Sequence, residues 1–241
     1  MSYYDEYENN LRNRILKELK TGIFSDLTRI PRETVLSEMM GVSRTQLRDA
    51  LSDLEREGLI TRRHGIGTVI NRHVLNVKCR MDIEKEFLDI IRDNGYEPSI
   101  MYLDVSETVA NKQEAEKLSI SENDEVVRIK LLCGADGRPA IYCEDVLEKR
   151  LVKEDYKKED YHVIVFDFLK KFCSIEAYMD LTDLHPAIAD EKLAELLQVP
   201  VGTLLMYVEE VDYDIDGNAI FYSRQYFVDE LIHHTVLRKK F

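Results

Sequence analysis

The chain has 241 residues, 44% of them hydrophobic and 33% charged, which allows one large or two small domains and excludes intrinsic disorder. It has no run of about 18 apolar residues and begins with an acidic, polar segment, so we predict neither a membrane span nor a secretory signal and expect a soluble, cytoplasmic protein. The net charge of −13 is unevenly distributed along the chain, since residues 1–75 hold 12 basic and 11 acidic residues. The overall acidity therefore does not exclude a nucleic-acid-binding surface in this first part.

Three helices are predicted in the first seventy residues. Apolar residues at three- and four-residue spacing indicate a helix over about 7–21, and a short second helix begins near Pro31 and ends at Gly41. Ser43 is a plausible N-cap for a third helix over about 44–57, which ends at Gly58. Two helices joined by so short a glycine-containing turn are typical of a helix-turn-helix.

The third helix and the segment behind it carry the residues that could contact DNA. Its apolar stripe leaves Arg44, Thr45 and Arg48 on the solvent side of the first half, with Gln46 beside them, and such side chains bind phosphates and base edges. LITRRHGIGTVINR then alternates around a glycine-rich tip, as a two-stranded wing would, with Arg62, Arg63 and His64 at or beside that tip. Taken singly, an arginine-bearing amphipathic helix is more often only a solvated surface helix, so the prediction depends on the ordered combination.

That combination resembles the winged-helix DNA-binding domain of the GntR family of bacterial transcription regulators, over about residues 8–72. The resemblance is carried by Gly41-Val42-Ser43-Arg44-Thr45, by Leu54-Glu55-x-x-Gly58-Leu59-Ile60 and by Gly65-x-Gly67-Thr68. In that family the residues at the positions of Arg44, Thr45 and Arg48 and the Gly-x-Gly tip contact operator DNA. Thr34 stands where the family usually has a DNA-contacting arginine, and Arg32 is a possible substitute. The candidate DNA-binding residues are therefore Arg32, Thr34, Ser43, Arg44, Thr45, Gln46, Arg48, Arg63, His64, Gly65 and Gly67.

The rest of the chain predicts a linker and a second, α+β domain. Residues 73–82 suggest an extended connector between a head at 1–72 and a domain at 83–241. A helix over about 83–94 and a strand through SIMYLDVSE follow, and then a near-repeat about 79 residues apart, in which each copy gives a helix end, a strand, an Asp-Gly turn and a second strand. Between the copies we predict a helix at about 162–172, a strand at about 174–182 and a helix opened by Pro186. Two hairpins covered by helices indicate an antiparallel sheet.

The second part resembles the effector domain of the HutC subfamily (the UTRA domain), whose fold is shared with chorismate lyase. The motifs are Asp136-Gly137-x-Pro139, Glu144, Tyr213-Asp214-x-Asp216-Gly217 and Phe221-Tyr222-Ser223. Such domains bind a small metabolite, and the resemblance implies that Glu144 bonds a ligand hydroxyl or amino group. Strand tyrosines are more often sheet packing, and Arg128 could simply pair with an acidic neighbour. The candidate effector-binding residues are Arg128, Tyr142, Glu144, Tyr222, Arg224 and Tyr226.

The chemical class of the effector is only partly constrained. Relatives that bind sugar phosphates carry an Arg-x-Arg pair, which suits a phosphate, where this chain has Leu131 and Cys133. A glutamate common before the last Tyr-Ser is replaced by Phe221. These differences argue against a sugar phosphate and predict a less charged pocket.

No cofactor or metal is expected. The four cysteines contain no close C-x-x-C pair and suit a reducing compartment, and the adjacent His233 and His234 do not share a face on a strand or a helix. We therefore predict a transcription regulator, expected to be a repressor, that binds operator DNA as a homodimer and responds to a small metabolite. A chorismate-lyase-like enzyme and a DNA-binding scaffold without effector remain as alternatives.

Overall fold

The computed structural model describes residues 10–63, 65–154, 156 and 165–240. The chain divides into two compact units: one comprises the residues up to Glu84 together with those from Thr235 on, and the other spans Lys85–His234. This division differs from the predicted boundaries at 72 and 83, because the connector and the last residues join the first unit. The functional domains themselves stay a prediction.

The first unit is a winged helix-turn-helix. Its elements are α1 (Leu11–Lys20), α2 (Glu33–Met40), α3 (Arg44–Arg56), β1 (Ile60–Arg63), β2 (Gly67–Ile70), α4 (Arg72–Leu75) and β3 (Cys79–Arg80). The core between the three helices includes Ile15, Leu36, Leu47, Leu51 and Leu54, all of them buried. The predicted apolar stripe of α2 is only half right, because Leu36 and Met40 are buried whereas Val35 and Met39 are exposed.

Residues 73–82 do not form the fully extended connector that the sequence suggests. α4 makes one helical turn there and places Val74 and Leu75 in the core of the first unit. The Arg72 guanidinium donates to the carbonyls of Phe24 and Leu27, so it ties this turn to the loop that precedes α2. These contacts make the connector a structural part of the head.

The second unit is built on a six-stranded antiparallel sheet in the order β4-β5-β6-β9-β8-β7. Its elements are α5 (Phe87–Asp93), β4 (Pro98–Val109), α6 (Lys112–Leu118), β5 (Glu125–Ala135), β6 (Arg138–Glu148), a 3₁₀ turn (Lys149–Leu151), α7 (Val165–Phe168), a π turn (Leu169–Cys173), β7 (Met179–Ile188), α8 (Glu191–Leu197), β8 (Leu204–Tyr213) and β9 (Ala219–Phe227). The short strand β10 (His234–Thr235) follows at the boundary with the first unit and pairs with β3. The predicted α+β class with an antiparallel sheet is confirmed.

The near-repeat in the sequence is a structural repeat. β4-α6-β5-β6 and β7-α8-β8-β9 have the same element order, and β6 pairs with β9 at the centre of the sheet. Asn111 and Asp190 cap the two equivalent helices with their side chains, which is the reason that both helices begin where they do.

Two of the predicted elements in the second unit have wrong boundaries. Pro186 does not open a helix but lies in the edge strand β7, which runs over Met179–Ile188 rather than 174–182. The helix begins at Glu191, after its N-cap Asp190. Proline suits an edge strand as well as a first helical turn. The predicted helix at 162–172 is seen as α7 and the π turn over Val165–Cys173, and its earlier part lies outside the described residues.

Candidate nucleic-acid interface and ligand site

The start of α3 is fixed by a reciprocal cap. The Gln46 amide donates to Ser43 Oγ at 3.3 Å, and the Ser43 amide donates to Gln46 Oε1 at 3.1 Å. Ser43 and Gln46 therefore hold the helix end, and their amides and side chains are largely engaged with each other. The positive end of a 13-residue helix, which we call the recognition helix, is left facing solvent.

Exposed side chains surround this helix end. Arg48 donates from Nε to Glu33 Oε2 at 2.8 Å, which joins the recognition helix to the start of α2. Within the described part of the chain, Arg32, Arg44 and Arg63 form no ion pair. All the predicted DNA-binding residues that the structure describes are exposed: Arg32, Thr34, Ser43, Arg44, Thr45, Gln46, Arg48, Arg63, Gly65 and Gly67.

The wing is a tight hairpin held to the rest of the head. Gly65 and Gly67 have φ of +75° and +96°, a region that L side chains rarely adopt. Arg29 donates from Nη1 to the Ile66 carbonyl at 3.2 Å and so supports the tip. His64 lies outside the described residues.

Arg62 has a structural role. Its Nε donates to Glu55 Oε2 at 2.6 Å and its Nη2 donates to Ser52 Oγ at 3.0 Å, which fixes β1 to the recognition helix. Sequence reasoning missed Arg29 because it lies in the loop between the first and second predicted helices, outside every predicted element.

In the second unit, the six predicted effector-binding residues share one face of the sheet, which we call the charged face. Glu144 lies opposite Arg224, and Tyr142 lies opposite Tyr226, on the paired strands β6 and β9. Arg128 and Tyr222 are both opposite Val146, from β5 and β9. The structure therefore brings all six together.

An ion-pair network crosses the charged face. Arg128 donates to both carboxylate oxygens of Glu114, at 2.6 and 3.0 Å, and Arg224 pairs with Glu144 at 3.0 Å. Lys130 lies 3.5 Å from Glu144. The Glu114 side chain is fully buried, and burial alone would raise its pKa, but hydrogen bonds from Arg128 and the Asn111 amide lower it below its usual value. Arg128 does pair with an acidic neighbour, as the alternative interpretation of that residue supposed.

Tyrosines complete this face. The hydroxyls of Tyr207 and Tyr222 donate to Glu209 Oε1 at 2.6 and 2.9 Å, and the rings of Tyr207 and Tyr226 stack with centroids 4.7 Å apart. Burial and the hydrogen bond to Glu209 raise the pKa of both donors. Sequence reasoning missed Glu114, Tyr207 and Glu209; strand alternation in the second repeat would have placed the last two beside Arg224.

The opposite face of the sheet carries a different polar group. Asp145 is buried there and accepts from Ser223 Oγ at 2.8 Å and from Cys143 Sγ at 2.9 Å. Burial raises the pKa of Asp145 to about 6. No basic side chain among the described residues pairs with its carboxylate.

The two sets of residues that the sequence links to a ligand lie on different faces of the sheet. Leu131 pairs with Cys143, which lies two residues before Asp145 on β6 and so shares its face. Cys133 lies two residues after Leu131 on β5, and Phe221 lies two residues before Ser223 on β9, so both side chains are on this face as well. The positions at which the sugar-phosphate relatives carry ligand-binding residues thus lie on the Asp145 face, whereas Glu144 and its five companions lie on the charged face.

Among the described residues, no cluster of three or more histidine, cysteine, aspartate or glutamate side chains could hold a metal ion. None of the helices in the described ranges is long and apolar enough to cross a membrane.

Comparison with known proteins finds two family profiles. Residues 7–70 match the profile of bacterial regulatory proteins of the GntR family, and residues 93–233 match that of the UTRA domain. The two matches fall on the two structural units and cover the recognition helix, the wing and the six-stranded sheet.

Individual relatives are also regulators. The chain is 29% identical over 213 residues to the uncharacterized HTH-type transcriptional regulator YurK of Bacillus subtilis, with 88% of this chain and 87% of YurK covered. It is 26% identical over 202 residues to the histidine utilization repressor of Pseudomonas putida, with 83% and 75% covered. The fold is that of the possible transcriptional regulator YydK of Bacillus subtilis, at a TM-score of 0.77 and 18% identity over 95% of this chain and 99% of YydK.

Proposed function

Because the chain belongs to the GntR family of bacterial regulatory proteins, with a UTRA domain behind its winged helix, we propose that it is a repressor that binds operator DNA in the cytoplasm as a homodimer. It is a transcription regulator and not an enzyme, as its family and relatives are. The UTRA domain is a ligand-binding effector domain, so a small molecule is the second partner.

One observation supports the proposed location of the DNA-binding site. The solvent-facing positive end of the recognition helix is ringed by exposed Arg44, Thr45 and Arg48, next to Arg32 at the start of α2. This is the arrangement in which side chains reach base edges while backbone amides face phosphates. Because Arg48 is paired with Glu33, we propose that it exchanges this carboxylate for DNA on binding.

The test is fluorescence-anisotropy binding to DNA from upstream of the gene, against a scrambled duplex, at two salt concentrations. Preferential binding that weakens with salt is expected. Arg44→Ala and Arg48→Ala should each weaken operator binding by about 1–3 kcal/mol if the arginine reads a base. Arg56→Ala is the matched control, since Arg56 lies at the other end of the same helix and pairs with Asp53; an equal loss in all three variants would contradict the proposed site.

For the effector, we propose the charged face, between Glu144 of β6 and Arg224 of β9. These side chains are partly exposed, whereas Asp145 and Ser223 are buried, so the charged face presents the more accessible polar groups. The Asp145 face is the second candidate. It is favoured because Leu131, Cys133 and Phe221 lie on it, at the positions where relatives that bind sugar phosphates carry the Arg-x-Arg pair and the glutamate.

Adjacent residues of one strand separate these candidates. Glu144→Gln and Asp145→Asn each remove one negative charge, on opposite faces of β6. Thermal shift against a metabolite panel should give a ligand response in the wild-type protein, because a ligand that binds only the native state stabilises it. Loss of the response in Glu144→Gln alone would support the charged face, and loss in Asp145→Asn alone would refute it. A wild-type chain that responds to no metabolite would favour a scaffold without effector.

For the homodimer, we propose pairing through the edge strand β7. Met179, Leu181, Leu184 and Ile188 are between 44 and 66% exposed along it, and exposed apolar edges mark association sites. Light scattering should give a dimer that Leu181→Asp converts to a monomer. Met101→Asp, on the other edge strand β4, is the matched control, and a dimer that survives Leu181→Asp but not Met101→Asp would overturn the choice of edge.

A further inference from the structure

At the C-terminal end of the recognition helix, two backbone carbonyls accept hydrogen bonds from side chains that are distant in sequence. Its Asp53 and Leu54 carbonyls accept from the amides of Glu57 and Leu59, both at 2.9 Å, and the Glu55 carbonyl accepts from the Gly58 amide at 3.0 Å. The carbonyls of Arg56 and Glu57 are instead bonded by side chains, by Lys239 Nζ and by Arg80 Nη1 respectively. Positive groups at these positions complete the hydrogen bonds of the helix end and suit its negative dipole.

Lys239 belongs to residues 235–240, which we call the return segment. Lys239 Nζ also donates to the Glu55 carbonyl at 2.9 Å. The Thr235 carbonyl accepts from the Met81 amide at 3.0 Å, and the Leu237 amide donates to Asp82 Oδ1 at 3.4 Å. The segment is thus bonded at its start, middle and end to the first unit, to which it belongs by compactness.

Leu237 supplies an apolar contact at the same place. It packs on the buried core of the first unit, and a Cβ added at Gly58 would lie 2.6 Å from Leu237 Cδ2. Gly58 directly follows the C-cap of the recognition helix and has φ +77°. Leu237 therefore closes over the turn at which the helix stops and β1 begins.

We propose that the return segment is a working part of the DNA-binding head and positions the recognition helix, with Leu237 and Lys239 as positioning residues. The inference rests on the proposed operator binding. Its consequence is that operator affinity depends on residues far from the winged helix in sequence. It also gives the effector domain a second covalent connection to the head, since β9 leads through residues 228–234 into this segment.

The test uses the full chain with Lys239→Ala and Leu237→Ala, and with Arg238→Ala as the matched control. Arg238 is exposed and carries the same charge as its neighbour Lys239. Lys239→Ala should weaken operator binding about two- to fivefold, as expected for a charged group at a helix C-terminus, and Leu237→Ala should weaken it further. Arg238→Ala should reduce operator affinity less than Lys239→Ala, since it removes only a long-range electrostatic attraction to the DNA.

Hydrogen exchange of the DNA-free protein provides the second measurement. Both positioning variants should speed exchange at the amides of Glu57, Gly58 and Leu59, and Arg238→Ala should not. Unchanged exchange, or faster exchange with wild-type operator affinity, would overturn the proposal. If the wild-type chain bound no operator, the proposed function would fail instead, and exchange would still show whether the segment holds the helix end.

Discussion

Removing the Arg128 guanidinium should expose the energetic cost of the buried Glu114 carboxylate. The Glu114 side chain is fully buried and accepts two hydrogen bonds from Arg128. In Arg128→Met the Glu114 carboxylate retains the hydrogen bond from the Asn111 amide, at 3.0 Å, and the ion pair with Arg224, at 3.5 Å. Breaking a buried pair costs about 3–5 kcal/mol; because these two partners remain, we expect a loss of about 2–4 kcal/mol in the free energy of unfolding at pH 7.

The loss should depend on pH in a defined direction. In the wild type the pKa of Glu114 is lowered by Arg128 and the Asn111 amide despite burial, so its contribution is present above the unfolded-state pKa and is lost as pH falls through the folded-state pKa. Without Arg128, burial dominates and raises this pKa, so the penalty is relieved as the carboxylate protonates. The difference between variant and wild type should therefore shrink from pH 7 to pH 5.

Urea unfolding followed by circular dichroism measures this difference. The double variant Glu114→Gln/Arg128→Met is the control, because glutamine carries no charge and can still accept from the Asn111 amide. It should recover at least half of the lost stability. A loss below about 1 kcal/mol in Arg128→Met, the range of an exposed ion pair, or the absence of recovery in the double variant, would refute the reasoning.

Three other outcomes are expected. Gly41→Ala should cost about 1–2 kcal/mol in urea unfolding, since φ is +67° and a Cβ there meets nothing within 4 Å; Gly58→Ala should cost more because of Leu237, and equal costs would contradict that contact. Burial raises the pKa of Asp145 to about 6, so the Asp145 carboxyl should contribute stability that grows as pH falls from about 6 to about 4. The free energy of unfolding of the wild type minus that of Asp145→Asn should therefore rise over this range in urea unfolding, and a constant difference would contradict the raised pKa. In salt titrations of operator binding, Arg44→Ala should reduce the slope by about 1 if Arg44 contacts a phosphate, and an unchanged slope would exclude that contact.

The head was predictable because its signals are local. Gly41 ends α2 in a left-handed conformation, and the capping box of Ser43 and Gln46 begins the recognition helix at Arg44. The sequence therefore marks the turn from both sides. α4 gave no such signal, since a single turn is too short to show helical periodicity. Pro186 was misassigned because the sequence does not reveal that β7 is an edge strand.

For the proposed ligand site, the sequence indicates which residues share a strand face, and less about where they lie in the fold. Within each strand the candidate residues are two or four positions apart and so share a face, but that the faces of β5, β6 and β9 coincide follows from the pairing register, which the sequence does not give. The six residues concerned are Arg128, Tyr142, Glu144, Tyr222, Arg224 and Tyr226. The same alternation sets Leu131, Cys133 and Phe221 on the other face, which strand parity already implied. The pairing of Arg128 with Glu114 joins a strand to a helix and required the tertiary structure.

The pairing of β6 with β9 also determines how a molecule could be oriented on the charged face. The two halves of the sheet are near copies, and an exact copy would offer a ligand two equivalent poses related by a half-turn. Glu144 and Arg224 hold equivalent positions in the two halves and pair with each other, yet one is an acid and the other a base. A molecule lying across them meets a carboxylate at one end and a guanidinium at the other, so the two poses differ in electrostatic energy and one direction of binding is favoured.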